Sequence, residues 1–414
     1  MTATPNGHQP SAPTTQPRLK QIAFGVLMVV LLAVIAEIGS YVVIRVSRPY
    51  LDGEIRTTGS IYREQTAQLR RLLEQDSTRR DLFDAELGWH YRPGYVAPNE
   101  HINAAGLRGD RSYLPRAPDS VLRVAAFGDS FVFGMEVGFQ DSWAWQLEQR
   151  DRRLEVLNYG VGGYGTDQAL LRYRAEGTTY DPEIVLIGFV PVNLRRNVNR
   201  YRRFLSTREA AWVKPRFLLA ASGELELLPS PIRSLDDWRP YLERPKMVRA
   251  FGVHDQWYQR LVYENPLHDW SATVRLVSNV YLRLKGRYFG PDRLVDGGQF
   301  RTNAPAYDLT VALLEQFASE VRRNGAQPII VIFPDLRSVK ASREGGNPAY
   351  APLTRDLKEQ HEVWDLAVPF VQAPPSLPVE DWFMPAGHYS PSANKIIADW
   401  MGRQLAERYP EHGS

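Results

Sequence analysis

Four places in this sequence carry residue types that acyl-group chemistry uses. The apolar run 124-VAAF-127 ends abruptly in Gly128-Asp129-Ser130. A serine hydroxyl becomes a useful nucleophile only beside a base. Taken alone, Gly-Asp-Ser reads more readily as a turn between two core elements. The loop 158-NYGVGGYGTDQ-168 holds four glycines. Its backbone N–H groups can face an anionic oxygen, but it lacks the Lys-Ser or Lys-Thr that completes a phosphate cradle. Asn193, after the apolar run 183-EIVLIGFV-190, offers a side-chain N–H to the same oxygen or satisfies local backbone. His388 stands in 381-DWFMPAGHYSPSANKIIADWM-401, in a loop before the last helix, where a base can reach across to a serine. With eight histidines in the chain, a surface or core role is the plain alternative. No His and Asp cluster has metal-ligand spacing, so a metal hydrolase is the weakest reading and no metal or other cofactor is expected.

The elements that must position these residues alternate along the chain. Apolar strands are predicted at 123–127, 154–158, 183–190, 328–333 and 363–366. Helices are predicted at 142–150, 166–176, 307–323, 353–360 and 392–408, with Thr166 as N-cap and Gly177 as stop of the second. Such alternation implies an α/β fold, a parallel sheet covered on both faces. Ligands then bind beyond the carboxyl ends of the strands. That places Ser130, the 160–165 loop, the 191–193 segment and Asp335 on one rim. Residues 198–304 break the alternation and read as an insertion over the site. Within it, 214-KPRFLLAASGELELLPSPI-232 reads as a hairpin turning at Ser222-Gly223.

The chain has 414 residues, a net charge of +3 and no cysteine. Disulfides, thiolate nucleophiles and Cys-based zinc sites are thereby excluded. The weak positive balance, with no basic stripe, gives no support for nucleic-acid binding. Residues 1–21 read as a disordered cytoplasmic tail. The stretch 22-IAFGVLMVVLLAVIAEIGSYVVI-44, at about 1.5 Å per residue, crosses a hydrocarbon core of about 30 Å as a single-pass anchor. Glu37 is its one charge. A cleaved signal peptide ending at Val34-Ile35-Ala36 is the rival reading. Residues 45–86 read as stalk and linker, with 60–76 a charged, solvated helix, and 87–410 as the main domain.

In this order the four segments resemble the SGNH, or GDSL-type, hydrolase superfamily. Gly128-Asp129-Ser130 is similar to its nucleophile block, with Phe131 where many members have Leu. The 158–168 loop is similar to the glycine block, Gly163 matching the oxyanion glycine. The 188–193 stretch is similar to the asparagine block, although Leu194 replaces the usual aspartate. His388 is similar to the C-terminal base, and 87-LGWHYRPG-94 and 102-INAAGLRG-109 resemble the lead-in of membrane-anchored members. The resemblance implies a flavodoxin-like three-layer α/β/α sandwich. It also implies a membrane-anchored esterase or acyltransferase outside the cytoplasm, acting on acyl esters, O-acetyl groups of envelope glycans foremost. Ser130 would be the nucleophile and His388 the base, with Ser130, Gly163 and Asn193 holding the oxyanion. The family places an aspartate three residues before the histidine, where this chain has Pro385. Either a backbone carbonyl orients His388, or another carboxylate does, Asp381 being nearest in sequence. The remaining alternative is an inactive member that keeps the fold to bind glycan or serve as an envelope scaffold.

Overall fold

The computed structural model describes residues 16–47, 61–74, 79–206, 209–288, 293–374 and 376–409. Five strands, β1 (Leu122–Phe127), β2 (Leu154–Asn158), β3 (Ile184–Phe189), β4 (Gln327–Ile332) and β5 (Val363–Asp365), form one sheet in the order β5-β4-β3-β1-β2. Every pairing is parallel. Ala125 lies opposite Leu157 and Val185, and Ile330 opposite Ile187 and Val363. The helices used below are α1 (Gln16–Ser47), α2 (Ile61–Leu73), α3 (Ser130–Phe133), α4 (Trp143–Arg150), α5 (Thr166–Glu176), α6 (Asn193–Arg196), α7 (Ala272–Tyr288), α8 (Pro305–Arg323) and α9 (Pro391–Arg408).

Side chains alternate across a strand, and both faces of this sheet are apolar. Ala125, Phe127, Val185 and Ile187 point to one side, where Leu170 of α5 and Leu313 and Phe317 of α8 cover them. Val124, Ala126, Ile184 and Leu186 point to the other, under Trp143 and Leu147 of α4 and Ile397 and Met401 of α9. The result is the parallel sheet covered on both faces that the alternation predicts, in the three-layer α/β/α arrangement that the resemblance implies. The expected hairpin is present, Arg216–Leu219 pairing with Leu225–Leu228 around Gly223.

Three expectations need correction. The N-cap of α5 is Gly165, not Thr166. The Thr166 N–H donates to Asn197 Oδ1 at 2.8 Å, so Thr166 already belongs to the first turn. Residues 16–21, read as tail, are helical; residues 1–15 lie outside the described residues. Finally, α2 is not a solvated stalk. Ile61, Tyr62, Leu69 and Leu72 share one face of it and are buried. Tyr62 Oη donates to the Tyr263 carbonyl at 2.6 Å and Gln65 Nε2 to that of Pro245 at 3.1 Å. The charges at Arg63, Glu64, Arg70 and Arg71 leave this apolar face free to dock on the insertion.

The insertion is buckled to the body by an ion pair. Lys214 Nζ, leading into the hairpin, bonds Asp167 Oδ2 in the first turn of α5, and both side chains are fully buried. Burial pushes the Asp167 carboxyl up and the Lys214 ammonium down, each restrained by the other's charge. Lys214→Met strands a carboxylate and is expected to cost about 3–5 kcal/mol in denaturant unfolding at neutral pH. Protonation relieves a stranded acid whose folded pKa is raised. The deficit should therefore shrink as pH falls through that value. An unchanged midpoint at neutral pH would remove the pair from the stability of the insertion.

Candidate active site

Ser130 opens α3 directly beyond the end of β1 and is 6% exposed. Asp129 caps that turn, its Oδ1 accepting from the Phe131 N–H at 2.9 Å. Its Oδ2 accepts from Arg196 Nη1 at 2.6 Å. The aspartate of the Gly-Asp-Ser turn therefore aims the serine and is already engaged itself.

His388 is held at the tip of a tight loop. An isolated bridge pairs Phe383 with Tyr389, and the Met384 N–H donates to the His388 carbonyl at 2.7 Å. Pro391 begins α9 immediately afterwards, with Ser390 as its N-cap. His388 Nε2 lies 2.8 Å from Ser130 Oγ, and Nδ1 lies 2.7 Å from Glu136 Oε2. The same carboxylate accepts from the N–H of Ala386 at 2.9 Å and of His388 at 3.1 Å. Partial burial pushes the Glu136 carboxyl up, but the bonds from Ala386, the imidazole and the His388 N–H outweigh it and hold it below its ordinary value. Glu136 is thus ionised at neutral pH and only accepts. Nδ1 must carry the proton it donates there, which leaves Nε2 as an acceptor for the serine hydroxyl.

Glu136 takes the position for which the sequence suggested Asp381. Asp381 sits exposed on the turn Val379–Trp382. Its neighbour Trp382 is buried against Phe370, ring centroids 5.0 Å apart, and that packing turns Asp381 outward. Glu136 follows the C-cap of α3 and adopts φ +71°. A left-handed backbone is unfavourable for a residue with a Cβ. It is held there by the three bonds its carboxylate receives.

The glycine loop forms the facing wall. Gly163 adopts φ +82°, open to glycine at no steric cost. Gly160 lies so close to α3 that a Cβ there would meet the Phe133 nitrogen at 2.3 Å. The lead-in segment clamps the loop from outside. Tyr91 Oη accepts from the Gly162 N–H at 2.6 Å, and Trp89 Nε1 donates to the Gly162 carbonyl at 3.1 Å. Asn193, 1% exposed, opens α6, and its Oδ1 accepts from Arg196 Nη1 at 3.3 Å. That guanidinium also reaches Asp129 and the Tyr164 carbonyl, so it ties the serine, glycine and asparagine segments together.

Ser130, His388, Gly163, Trp89 and Trp212 line one cavity of about 280 Å³. The two indoles are stacked, 6.0 Å apart and 24° off parallel. Asp335, the other rim residue expected, instead caps the following helix through the Ser338 N–H. Glu136, Arg196 and the two tryptophans were missed at the sequence level. Among the described residues no cluster of His, Asp and Glu is placed to hold a metal ion.

No family model matches the chain, and no curated protein matches it. Several solved structures do. A member of the lipolytic protein G-D-S-L family from Veillonella parvula is 11% identical over 70% of this chain and 99% of its own, with a TM-score of 0.34. A lipase/acylhydrolase from Enterococcus faecalis is 10% identical over 70% and 97%, with a TM-score of 0.33. An acetyl xylan esterase from the rumen bacterium Butyrivibrio proteoclasticus is 8% identical over 70% and 65%, with a TM-score of 0.28.

Proposed function

We propose that this protein is a serine esterase or acyltransferase that works through a Ser130–His388–Glu136 triad. The observation that carries the reading is the unbroken line of bonds from the serine hydroxyl through the imidazole to an ionised carboxylate, 2.8 and 2.7 Å long. An inactive glycan-binding or scaffold role drew its support from Pro385 and Leu194. In the proposed triad Glu136 takes the role of the acid that Pro385 cannot supply, and Leu194 is still the departure that favours the inactive role.

Ser130 Oγ attacks the ester carbonyl carbon as its proton passes to His388 Nε2. Negative charge gathers on the carbonyl oxygen. The N–H groups of Ser130 and Gly163 and the Asn193 amide hold it. Arg196 engages Asn193 Oδ1, which leaves the Nδ2 end of that amide as the donor. The imidazolium, stabilised by Glu136, returns its proton to the departing alkoxide and an acyl-serine remains. Water or an acceptor hydroxyl then gives a proton to Nε2 and attacks the acyl carbon. The imidazolium passes that proton to Ser130 Oγ as the acyl–oxygen bond breaks, restoring the free serine and neutral His388. Trp89 and Trp212, almost fully buried, form an apolar edge of the cavity beside the nucleophile, and an O-acetyl group of an envelope glycan is the acyl ester this reading favours.

The reading includes a membrane anchor with the catalytic domain outside the cytoplasm. The apolar helix covers Leu19–Ser47, has a mean hydropathy of 2.6 in its most apolar window and is uncovered there. Apolar residues resume directly after Glu37 and continue to Ile44, which favours an anchor over a cleaved signal peptide.

A fluorescent phosphonate directed at active serines tests the proposal. Full-length protein should be labelled covalently, and Ser130→Ala should not. Equal labelling of both would take Ser130 out of the chemistry.

A further inference from the structure

We infer that α7, together with Leu267 and Trp270 just before it, is embedded in the bilayer leaflet next to the catalytic body, alongside the anchor. The inference rests on the proposed reading of α1 as a membrane span. It adds that the insertion itself is a membrane-contacting element, so the body is held to the lipid at two places.

Glu37 is the starting point. It lies between Lys20 and Arg45, inside the stretch that must cross the hydrocarbon. A lone carboxylate there is costly unless it is given donors. It receives them from the start of α7. Glu37 Oε2 accepts from Ser271 Oγ at 2.7 Å and from the Thr273 N–H at 3.2 Å, and Oε1 accepts from the Ala272 N–H. The first N–H groups of a helix have no partner within it and carry a partial positive charge. Each element thus satisfies what the other cannot satisfy in lipid, and both are brought to the same depth. Tyr41 and Ile44 of α1 pack on Ala272 and Leu276 of α7, so the two helices adjoin beyond that contact.

The outward face of α7 is the second observation. Val277, Val280, Tyr281, Leu284 and Tyr288 are each 47–61% exposed. Their spacing of three, four, seven and eleven residues from the first makes one continuous helical stripe. On α1, Val42, Val43 and Val46, interleaved in sequence with the contact residues Tyr41 and Ile44, are exposed as well, and before α7 so are Leu267 and Trp270, Trp270 by 84%. Arg275 and Ser278, by contrast, face inward and are buried, Arg275 Nη1 donating to the His268 carbonyl at 3.0 Å. Arg283 is exposed at the edge of the stripe, but the stripe itself is apolar, whereas a solvated helix turns its apolar residues inward. Contiguous exposed apolar surface of this kind marks a contact with membrane or protein. Its continuity with the lipid-facing surface of α1 selects the membrane. Arg283 and Lys285 lie on the turns farther along the helix from Glu37, where long cationic stems reach the headgroup level.

The chain has no cysteine, so single-cysteine variants report without background. Val280→Cys and Leu284→Cys are made in the full-length protein, with Val30→Cys as the anchor control and Leu114→Cys as a body control, since Leu114 is exposed and far from α1 in sequence. Each carries an environment-sensitive nitrobenzoxadiazole label in phosphatidylcholine vesicles containing acyl-chain spin-label quenchers. Retained phosphonate labelling of Ser130 identifies natively folded variants. Emission at 280 and 284 is expected to shift to the blue and to be quenched within about twofold of that at Val30, with none at Leu114. If Val30 is quenched and 280 and 284 behave like Leu114, the inference is overturned and the anchor stands. If Val30 is not quenched either, the anchor reading fails and takes the inference with it. Disulfide dimers of unlabelled Val280→Cys without lipid quenching would assign the stripe to a second copy of this chain, which also overturns it.

Discussion

Ser130→Ala is expected to lower kcat for a small acetyl ester by about 10⁶-fold in the full-length protein, with His388→Ala costing about as much and the double variant little more. The reason is the shared proton. Ser130 Oγ and His388 Nε2 are 2.8 Å apart, and neither residue acts without the other. Residual turnover would come from the donors around the oxyanion, which survive both substitutions. Folding should not confuse the result. The serine presents a small side chain to a cavity, and the adjacent turn is capped by Asp129. Unfolding midpoints of wild type and Ser130→Ala should therefore agree. Turnover of Ser130→Ala within tenfold of wild type would end the covalent reading, whatever the geometry suggests.

Most of the sandwich was legible because its signals are local and periodic. The strand β2 and the helix α5 fall on the stretches their apolar patterns mark. The strand ends then locate Ser130, the glycine loop and Asn193 through topology alone, since all follow parallel strands of one sheet. The insertion was less legible. Its core is an aromatic cluster of Tyr201, Phe204, Trp238, Phe251 and Tyr263, drawn from four-residue helical turns and the 3-10 stretch Pro245–His254. Such elements have no period to detect. The docking of α2 was hidden for a different reason. Its apolar face is readable, but the surface it meets is built from residues about 180 positions later.

The acid of the proposed triad was not legible in the sequence. The resemblance points to residues just before His388, where Pro385 stands and Asp381 turns outward. Glu136 lies six residues after Ser130 but 252 from the N–H and imidazole it engages. Only the fold brings β1 and the loop before α9 to one rim. The nearest local sign is Gly134, whose left-handed φ of 76° starts the turn that Glu136 continues. A glycine at 134 advertises that conformation. A glutamate at 136 does not, because nothing in its type calls for positive φ.

Glu136→Gln is accordingly expected to lower kcat by about 10⁴-fold with little change in KM. Glutamate can only accept, so it fixes the proton on Nδ1 and leaves Nε2 free to take one from Ser130. Glutamine can present its amide N–H to Nδ1 instead. The proton then moves to Nε2, which faces the serine and can no longer act as base. Asp381→Asn, on the exposed turn, should leave turnover within about twofold of wild type. Glu136→Gly separates position from chemistry. It loses the carboxylate and its three bonds, but it releases a left-handed backbone that costs on the order of 1–2 kcal/mol for a residue with a Cβ. Its unfolding midpoint should stay near that of wild type while its activity falls as far as that of the glutamine variant. Equal activity in Glu136→Gln and wild type, or a large loss in Asp381→Asn, would return the orienting role to another group. A loss of activity in Glu136→Gly that follows its loss of stability would make Glu136 a structural brace for the His388 loop. With a stable and inactive glycine variant, the strain at Glu136 is the thermodynamic cost of holding a carboxylate where the imidazole needs it.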